Sequence, residues 1–220
     1  MRDTYREQLD EILSDLVAMS AKIATAVRDA TLALLQADLH RAEKVISNDE
    51  EIDQMRNDID ARAFSLLARQ APVAGELRLV VATLRMVTEL ERMGDLAAHV
   101  ATIARMRYPE CAVPDDLRGN FSRMAEVAER MVLGVGSALT DRNIADAEDV
   151  QERDAEMDDL RRSQFRLMLG QDWPHGVEAA VDVALLGRYY ERIADHADAI
   201  ARRLVYIVTG QLPDDDATTT

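Results

Sequence analysis

Two short segments decide the fold of this chain: Glu91-Arg92-Met93-Gly94-Asp95 and, 100 residues later, Glu191-Arg192-Ile193-Ala194-Asp195. Further upstream, Asp49 matches Asp154 at a displacement of 105 residues. Matching segments at a nearly fixed spacing indicate an internal repeat. The change from 105 to 100 predicts a five-residue deletion in the second half, between its second and third helices.

Apolar residues between the prolines recur at helical spacing, as in Leu77, Val80, Leu84 and Val87. This period of three to four residues is typical of amphipathic helices, and no run alternates long enough to predict a strand. The pattern predicts three helices in each half. In the second half they should span roughly 117–140, 143–170 and 177–210.

The fold class predicted is therefore all-α, with two quasi-repeated antiparallel three-helix bundles. Pro109 and Pro114 interrupt the helical pattern and place the division between the halves. We expect the first bundle within residues 1–110 and the second within 115–212. Residues 213–220 are rich in Asp and Thr without an apolar anchor, which predicts a disordered tail.

Composition argues against a nucleic-acid-binding, disulfide-bonded or membrane-spanning protein. The 220 residues carry a formal net charge of -15, which argues against nucleic-acid binding because phosphodiester backbones are anionic. The single Cys111 excludes an intramolecular disulfide and a cysteine zinc cage, and it fits a reducing compartment. No segment has the pattern of an export signal or a membrane span, which predicts a cytoplasmic protein. The scarcity of lysine, present only as Lys22 and Lys44, is interpreted as a codon or lineage bias.

Carboxylates spaced four residues apart are the most informative polar feature of the sequence. Residues at this spacing share one face of a helix, where two like charges repel each other. The same two pairs occur in each half, on different predicted helices, so they could converge within each bundle. Hard divalent cations prefer several carboxylate oxygens, which makes all eight residues candidate metal ligands. They are Asp49, Asp53, Glu91, Asp95, Asp154, Asp158, Glu191 and Asp195.

Structural salt bridging is the alternative to metal binding, with Arg92 and Arg192 as the nearest counter-charges. His99 and Asp198 are possible additional ligands, because each lies within one helical turn of a candidate carboxylate. His196 directly follows Asp195 and points about 100° away from it. We therefore expect His196 on the surface.

Motifs of common catalytic sites are absent from the sequence. There is no Glu-x-x-His, which ferritin-like di-iron bundles need twice, and no phosphate-binding glycine loop or nucleophile elbow. These absences predict a protein that acts by binding. A metal-dependent helical-bundle enzyme acting on phosphorylated substrates or oxygen remains the alternative.

The duplicated segments at 91–95 and 191–197 resemble the E-R-I-G-D-H-A-type signature of the PhoU family of phosphate-signalling regulators. The resemblance covers nearly the whole chain and implies two similar three-helix bundles. It also implies metal clusters held by E(D)-x-x-x-D motifs, with iron, zinc, manganese or magnesium as the candidate ions. The eight carboxylates named above occupy the matching positions.

The resemblance further implies a function as a cytoplasmic negative regulator of the phosphate-starvation response. Such an adaptor would couple a phosphate-specific ABC transporter, through its ATPase, to a sensor histidine kinase and would restrain phosphate uptake. It would touch membrane complexes only peripherally, would bind no nucleic acid and would form a homodimer.

Overall fold

The computed structural model describes residues 2–70, 72, 75–141, 143–170 and 173–210. Within these ranges there are six long α-helices and no strand, so the predicted all-α fold of two similar three-helix bundles is confirmed. A single 3-10 turn, Asp115–Leu117, precedes the fourth helix. The predicted tail, 213–220, lies outside the described residues. The helices are α1 (Arg2–Gln36), α2 (Leu39–Gln70), α3 (Gly75–Arg107), α4 (Arg118–Asp141), α5 (Ile144–Met168) and α6 (Gly176–Thr209).

The repeat is visible in the helix boundaries. Helix α5 begins 105 residues after α2, whereas α6 begins 101 residues after α3. The shift changes because α5 has 25 residues and α2 has 32. The predicted deletion therefore corresponds to a shorter second helix in the second half.

One hydrophobic core joins the two halves. Helix α1 packs against α2 and α3 of its own half and against α4, while α3 packs against α6. The Tyr190 side chain on α6 is fully buried, and its ring lies 6.0 Å from the ring of Phe121 on α4. Its hydroxyl lies 2.6 Å from the Thr31 hydroxyl on α1, which satisfies a polar group that would otherwise be costly to bury.

Charged side chains also fix α3 to α6. The Arg107 guanidinium donates two hydrogen bonds to Asp182, of 2.6 and 3.1 Å, and a third to Glu178. Asp182 is only 4% exposed, and its hydrogen bonds raise the pKa of the Arg107 guanidinium. A bidentate pair of this kind fixes orientation as well as distance. Helices α3 and α6, which carry the duplicated segments, are therefore held in one antiparallel register.

Across the described ranges, no helix combines the length and the apolar character needed to cross a membrane.

Candidate functional site

The first-half site lies where α2 and α3 approach closely. Asp49 and Asp53 stand one turn apart on α2, as Glu91 and Asp95 do on α3. The approach depends on Gly94, because a Cβ atom there would lie 3.0 Å from the Ile52 side chain and 3.4 Å from an Asp49 carboxylate oxygen. The glycine in the first duplicated segment thus brings the two carboxylate pairs together.

Three of the four first-half carboxylates converge. Asp53, Glu91 and Asp95 each place an oxygen within 4.8 Å of the others. Among the residues that the structure describes, no basic side chain donates a hydrogen bond or forms an ion pair to any of the three. Three close carboxylates without a bonded cation form a set of oxygen donors suited to a hard divalent ion.

The electrostatics of this first-half triad, Asp53, Glu91 and Asp95, are repulsive. Burial raises the pKa of Glu91 and of Asp95, and a neighbouring carboxylate adds to each effect, while Arg56 beside Glu91 and His99 beside Asp95 oppose it in part. Asp49 lies beside the triad, where burial and then the charges of Asp95, Asp53 and Glu91 raise its pKa to about 6. A bound cation would relieve this repulsion, which works against the folded state when the site is empty.

In the second half, the glutamate that corresponds to Glu91 is paired with arginines. Glu191 accepts hydrogen bonds from Arg161 on α5 and from Arg188 on α6. The Glu191 side chain is 12% exposed, so the two guanidinium groups surround it at the edge of the core. Its negative charge is therefore already balanced by the protein.

Sequence differences between the repeats explain this arrangement. Arg161 corresponds to Arg56, whose guanidinium pairs with Asp60 at 3.5 Å and not with Glu91. The position of Asp60 is taken by Phe165 in the second half, and Arg161 lies over that ring at 5.3 Å. With no carboxylate four residues further along its own helix, Arg161 pairs instead with Glu191 on α6.

The remaining second-half carboxylates are close enough to interact. Burial, then the charges of Asp198, Asp195 and Asp158, raises the pKa of Asp154 to about 6. Asp198 is 5% exposed and accepts a hydrogen bond from Arg202, whereas the equivalent first-half position is Ala98. In the described part of the chain, only the first half brings three acidic side chains within ligating distance of one another.

Some residues were placed incorrectly from sequence. His196 is mostly buried rather than on the surface, and its Nδ1 lies 2.7 Å from Glu89 of α3. Arg92 pairs with Glu89 at 3.8 Å, not with a candidate ligand. Glu191 pairs with Arg161 and Arg188 and not with the expected Arg192. His99 is exposed, and its ring lies 5.4 Å from that of Tyr189.

A signal for the true partners existed in the repeat. Arg188 aligns with Thr88 and Arg202 aligns with Thr102, so both second-half arginines are new cations relative to the first half. A basic residue present in only one of two similar carboxylate clusters is a plausible counter-charge. The composition of each half alone does not reveal this difference.

Comparison with known protein families also divides the chain into two halves. The PhoU domain matches twice, over residues 16–104 and 121–204. The phosphate-specific transport system accessory protein PhoU homolog 1 of Mycobacterium leprae is 44% identical over 216 residues, covering 98% of this chain and 97% of the relative. Homolog 2 of Mycobacterium tuberculosis is 45% identical over 213 residues, covering 97% of this chain and all of the relative.

Solved structures show the same architecture. The crystal structure of PhoU from Pseudomonas aeruginosa superposes with a TM-score of 0.87 at 28% identity, covering 94% of this chain and 100% of that one. The phosphate transport system regulatory protein PhoU from Streptococcus pneumoniae superposes with a TM-score of 0.86 at 24% identity, covering 96% of this chain and 99% of that one, and supports the fold alone. From the duplicated segments, the two domain matches and the full-length relatives, the chain belongs to the PhoU family.

Proposed function

We propose that this chain is a non-enzymatic accessory protein of a phosphate-specific transport system. The support is family membership together with relatives of 44–45% identity that carry this name over the full length. Its partners would be the ATPase of the phosphate ABC transporter and a sensor histidine kinase. In this role it is a cytoplasmic negative regulator that restrains uptake and signalling when phosphate is ample.

The first-half triad is the feature through which we expect regulation to act. Carboxylates alone suit Mg²⁺ or Mn²⁺ better than zinc, which favours nitrogen and sulfur ligands. Iron also accepts carboxylate oxygens and is the third candidate ion. Asp53, Glu91 and Asp95 would hold the ion, and Asp49 would lie next to it.

A metal there would do two things for an adaptor. It would tie α2 to α3 across the site, and it would convert a repulsive acidic surface into one that accepts an anionic partner group. Asp53 is exposed, so the bound ion would be accessible to a partner. The single observation carrying this proposal is the convergence of three carboxylates without a bonded basic residue in the described structure.

A metal-dependent enzyme is the second candidate function. The observation in its favour is Asp49, a half-buried carboxylate beside the triad that would be placed to act as a general base toward a metal-bound substrate. An enzyme of this kind would hydrolyse a phosphate ester such as p-nitrophenyl phosphate in the presence of Mn²⁺, and the hydrolysis would be lost in Asp49→Asn. The adaptor proposal predicts no metal-dependent turnover.

The test of the adaptor is partner affinity measured with and without metal. The immobilised chain would be titrated with the transporter ATPase and with the cytoplasmic part of the sensor kinase, in Mn²⁺ and after chelation. We expect affinity to fall about tenfold on chelation and in Glu91→Gln with Asp95→Asn. Helicity by circular dichroism should be unchanged.

The matched control is Glu191→Gln with Asp195→Asn, which changes the corresponding second-half residues. We expect this variant to bind both partners as the unmodified chain does. Affinity that survives confirmed metal loss would reject the role of the triad in partner binding. Light scattering on the same samples would test the expected homodimer.

A further inference from the structure

A surface groove between α1 and α2 of the first half adjoins the triad, since Asp49 and Gly94 belong to its lining. Its volume is about 320 Å³, within the range of small-molecule pockets. Ala21 and Thr25 of α1 and Val45 and Ile52 of α2 form its walls, and Gly94 of α3 reaches its floor. It is therefore a mainly apolar depression reaching toward the third helix of the bundle.

Both lysines of the chain line this groove. Lys22 pairs with Glu51 at 2.6 Å, and this ion pair joins α1 to α2. Asp29, also in the lining, pairs with Arg41 at 3.0 Å and joins the same helices. The lineage bias expected from sequence explains why lysine is rare, but it does not explain why both lysines lie at one groove.

Lys44 lies on α2 between these two bridges. Within the described residues its ammonium group has no carboxylate partner, whereas Asp29 and Glu51 each have a cation. Asn48 follows one helical turn later and also lines the groove, so its amide can donate beside the ammonium group. The Thr25 hydroxyl already donates to a backbone carbonyl at 3.0 Å and is free only to accept.

The second half replaces the polar residues of the groove with longer or oppositely charged ones. Asn48 corresponds to Arg153 and Lys44 to Asp149, and these two replacements pair with each other at 2.9 Å. Ala18 corresponds to Arg123, which pairs with Glu156 at 2.6 Å. Small residues and an unpaired ammonium group therefore occur together only in the first-half version of this surface.

We propose that the groove binds a small amphiphilic anion, that is, a carboxylate or phosphate monoester attached to a compact apolar body. The anionic group would contact Lys44 and Asn48, and the apolar body would cover Ala21 and Val45. Asp49 also lines the groove and its charge opposes an anion, so the anionic group is placed at Lys44, which has no carboxylate partner in the described structure. The site needs no bound metal, and its test does not depend on the outcome of the adaptor proposal.

The test is a methyl NMR titration of the full chain in a chelating buffer, with phenyl phosphate as the probe. We expect saturable shifts of the Val45 and Ile52 methyl signals. The apparent affinity should be about tenfold higher than for inorganic phosphate or for benzyl alcohol, each of which offers only half of the recognised chemistry. Sodium benzoate tests the carboxylate form of the same ligand.

Two variants separate the contribution of the Lys44 charge from that of the apolar groove, and a third serves as a control. Lys44→Met should weaken phenyl phosphate about tenfold, and Ala21→Leu should weaken it by filling the groove without a charge change. Arg85→Met removes an exposed cation on α3 and should leave the affinity unchanged. Equal affinity for the unmodified chain and Lys44→Met, or shifts that never saturate, would overturn the proposal. Thermal unfolding of each variant confirms that it is folded.

Discussion

The two halves share a helix order and matching sets of four carboxylates, but different cations face those carboxylates. In the first half Asp53, Glu91 and Asp95 converge without a bonded arginine in the described structure. In the second half Glu191 is held by Arg161 and Arg188, and Asp198 by Arg202. A duplicated motif therefore does not guarantee a duplicated site, because its chemistry depends on residues outside the motif.

The difference also concerns how each half balances buried charge. An arginine paired with a carboxylate supplies a permanent positive charge. The first-half triad has no such charge from the described protein, so an external cation would have to supply it. Protein-supplied charge suits a structural role, and an exchangeable ion suits a regulated one. The predictions below use this contrast, beginning with the largest expected effect.

The contrast predicts unequal metal affinity. Glu91→Gln with Asp95→Asn removes two of three converging ligands, which should weaken Mn²⁺ binding at least about 100-fold, since losing even a supporting residue costs about 10- to 100-fold. The equivalent change, Glu191→Gln with Asp195→Asn, should alter it less than about twofold. Isothermal titration calorimetry would measure both, and an equal loss in the two variants would contradict the asymmetry.

The arginines of the second half should matter most for stability. Arg161→Met leaves Glu191 largely buried with one cation fewer, which should cost about 2 kcal/mol in unfolding free energy. The matched control, Arg56→Met, removes the more exposed pair with Asp60, a hydrogen bond to Asn57 and a nearby positive charge that lowers the pKa of Glu91. It should cost less than about 1 kcal/mol. Urea denaturation in the presence of a chelator would measure the unfolding free energy of both variants. Similar losses would show that the arginines act alike in both halves.

Asp49 and Asp154 should have the same pH-dependent effect on folding stability, although the two halves differ in their arginine pairs. The pKa of Asp49 and of Asp154 is about 6 in the folded chain, above about 3.9 when unfolded. The folded state then holds more protons between these values, so the contribution of each residue to stability falls as pH rises from about 4 to 6. Asp49→Asn or Asp154→Asn should stabilise the metal-free chain by about 1 kcal/mol at pH 7.5 and by almost nothing at pH 4.

Thermal unfolding at the two pH values measures this effect. A gain at pH 7.5 for only one of the two variants would show that repulsion, and not only the arginine pairs, differs between the halves. In excess Mn²⁺, Asp49→Asn should no longer be more stable than the unmodified chain. The substitution then removes a carboxylate from beside a bound ion.

His99 should have the smallest effect. It is exposed and contacts Tyr189 through a tilted ring pair, while the second half has Ala199 at this position. His99→Ala should change stability by less than about 0.5 kcal/mol. Calorimetry should show Mn²⁺ affinity within about twofold of the unmodified chain. A larger loss of affinity would identify His99 as a fourth ligand.

Much of the architecture could be predicted from sequence. The apolar period of three to four residues and the prolines gave six helices, because a helix needs a continuous apolar face and proline interrupts its hydrogen bonds. The repeat predicted two similar bundles, and the spacing of four residues placed each carboxylate pair on one helix face. The helices and the carboxylate pairs are local features, since they depend on residues within one or two turns.

Which carboxylates meet, and which cations meet them, was decided by tertiary structure. Glu191 and Arg161 are 30 residues apart and adjoin only because α5 packs against α6. His196 and Glu89 are 107 residues apart and meet only because α3 and α6 are antiparallel neighbours. Side-chain reach across helices depends on register and on single substitutions such as Asp60 against Phe165, which a helical period does not encode. Local sequence patterns suffice to predict the helices and the repeat, whereas the packing of those helices makes the two halves chemically different.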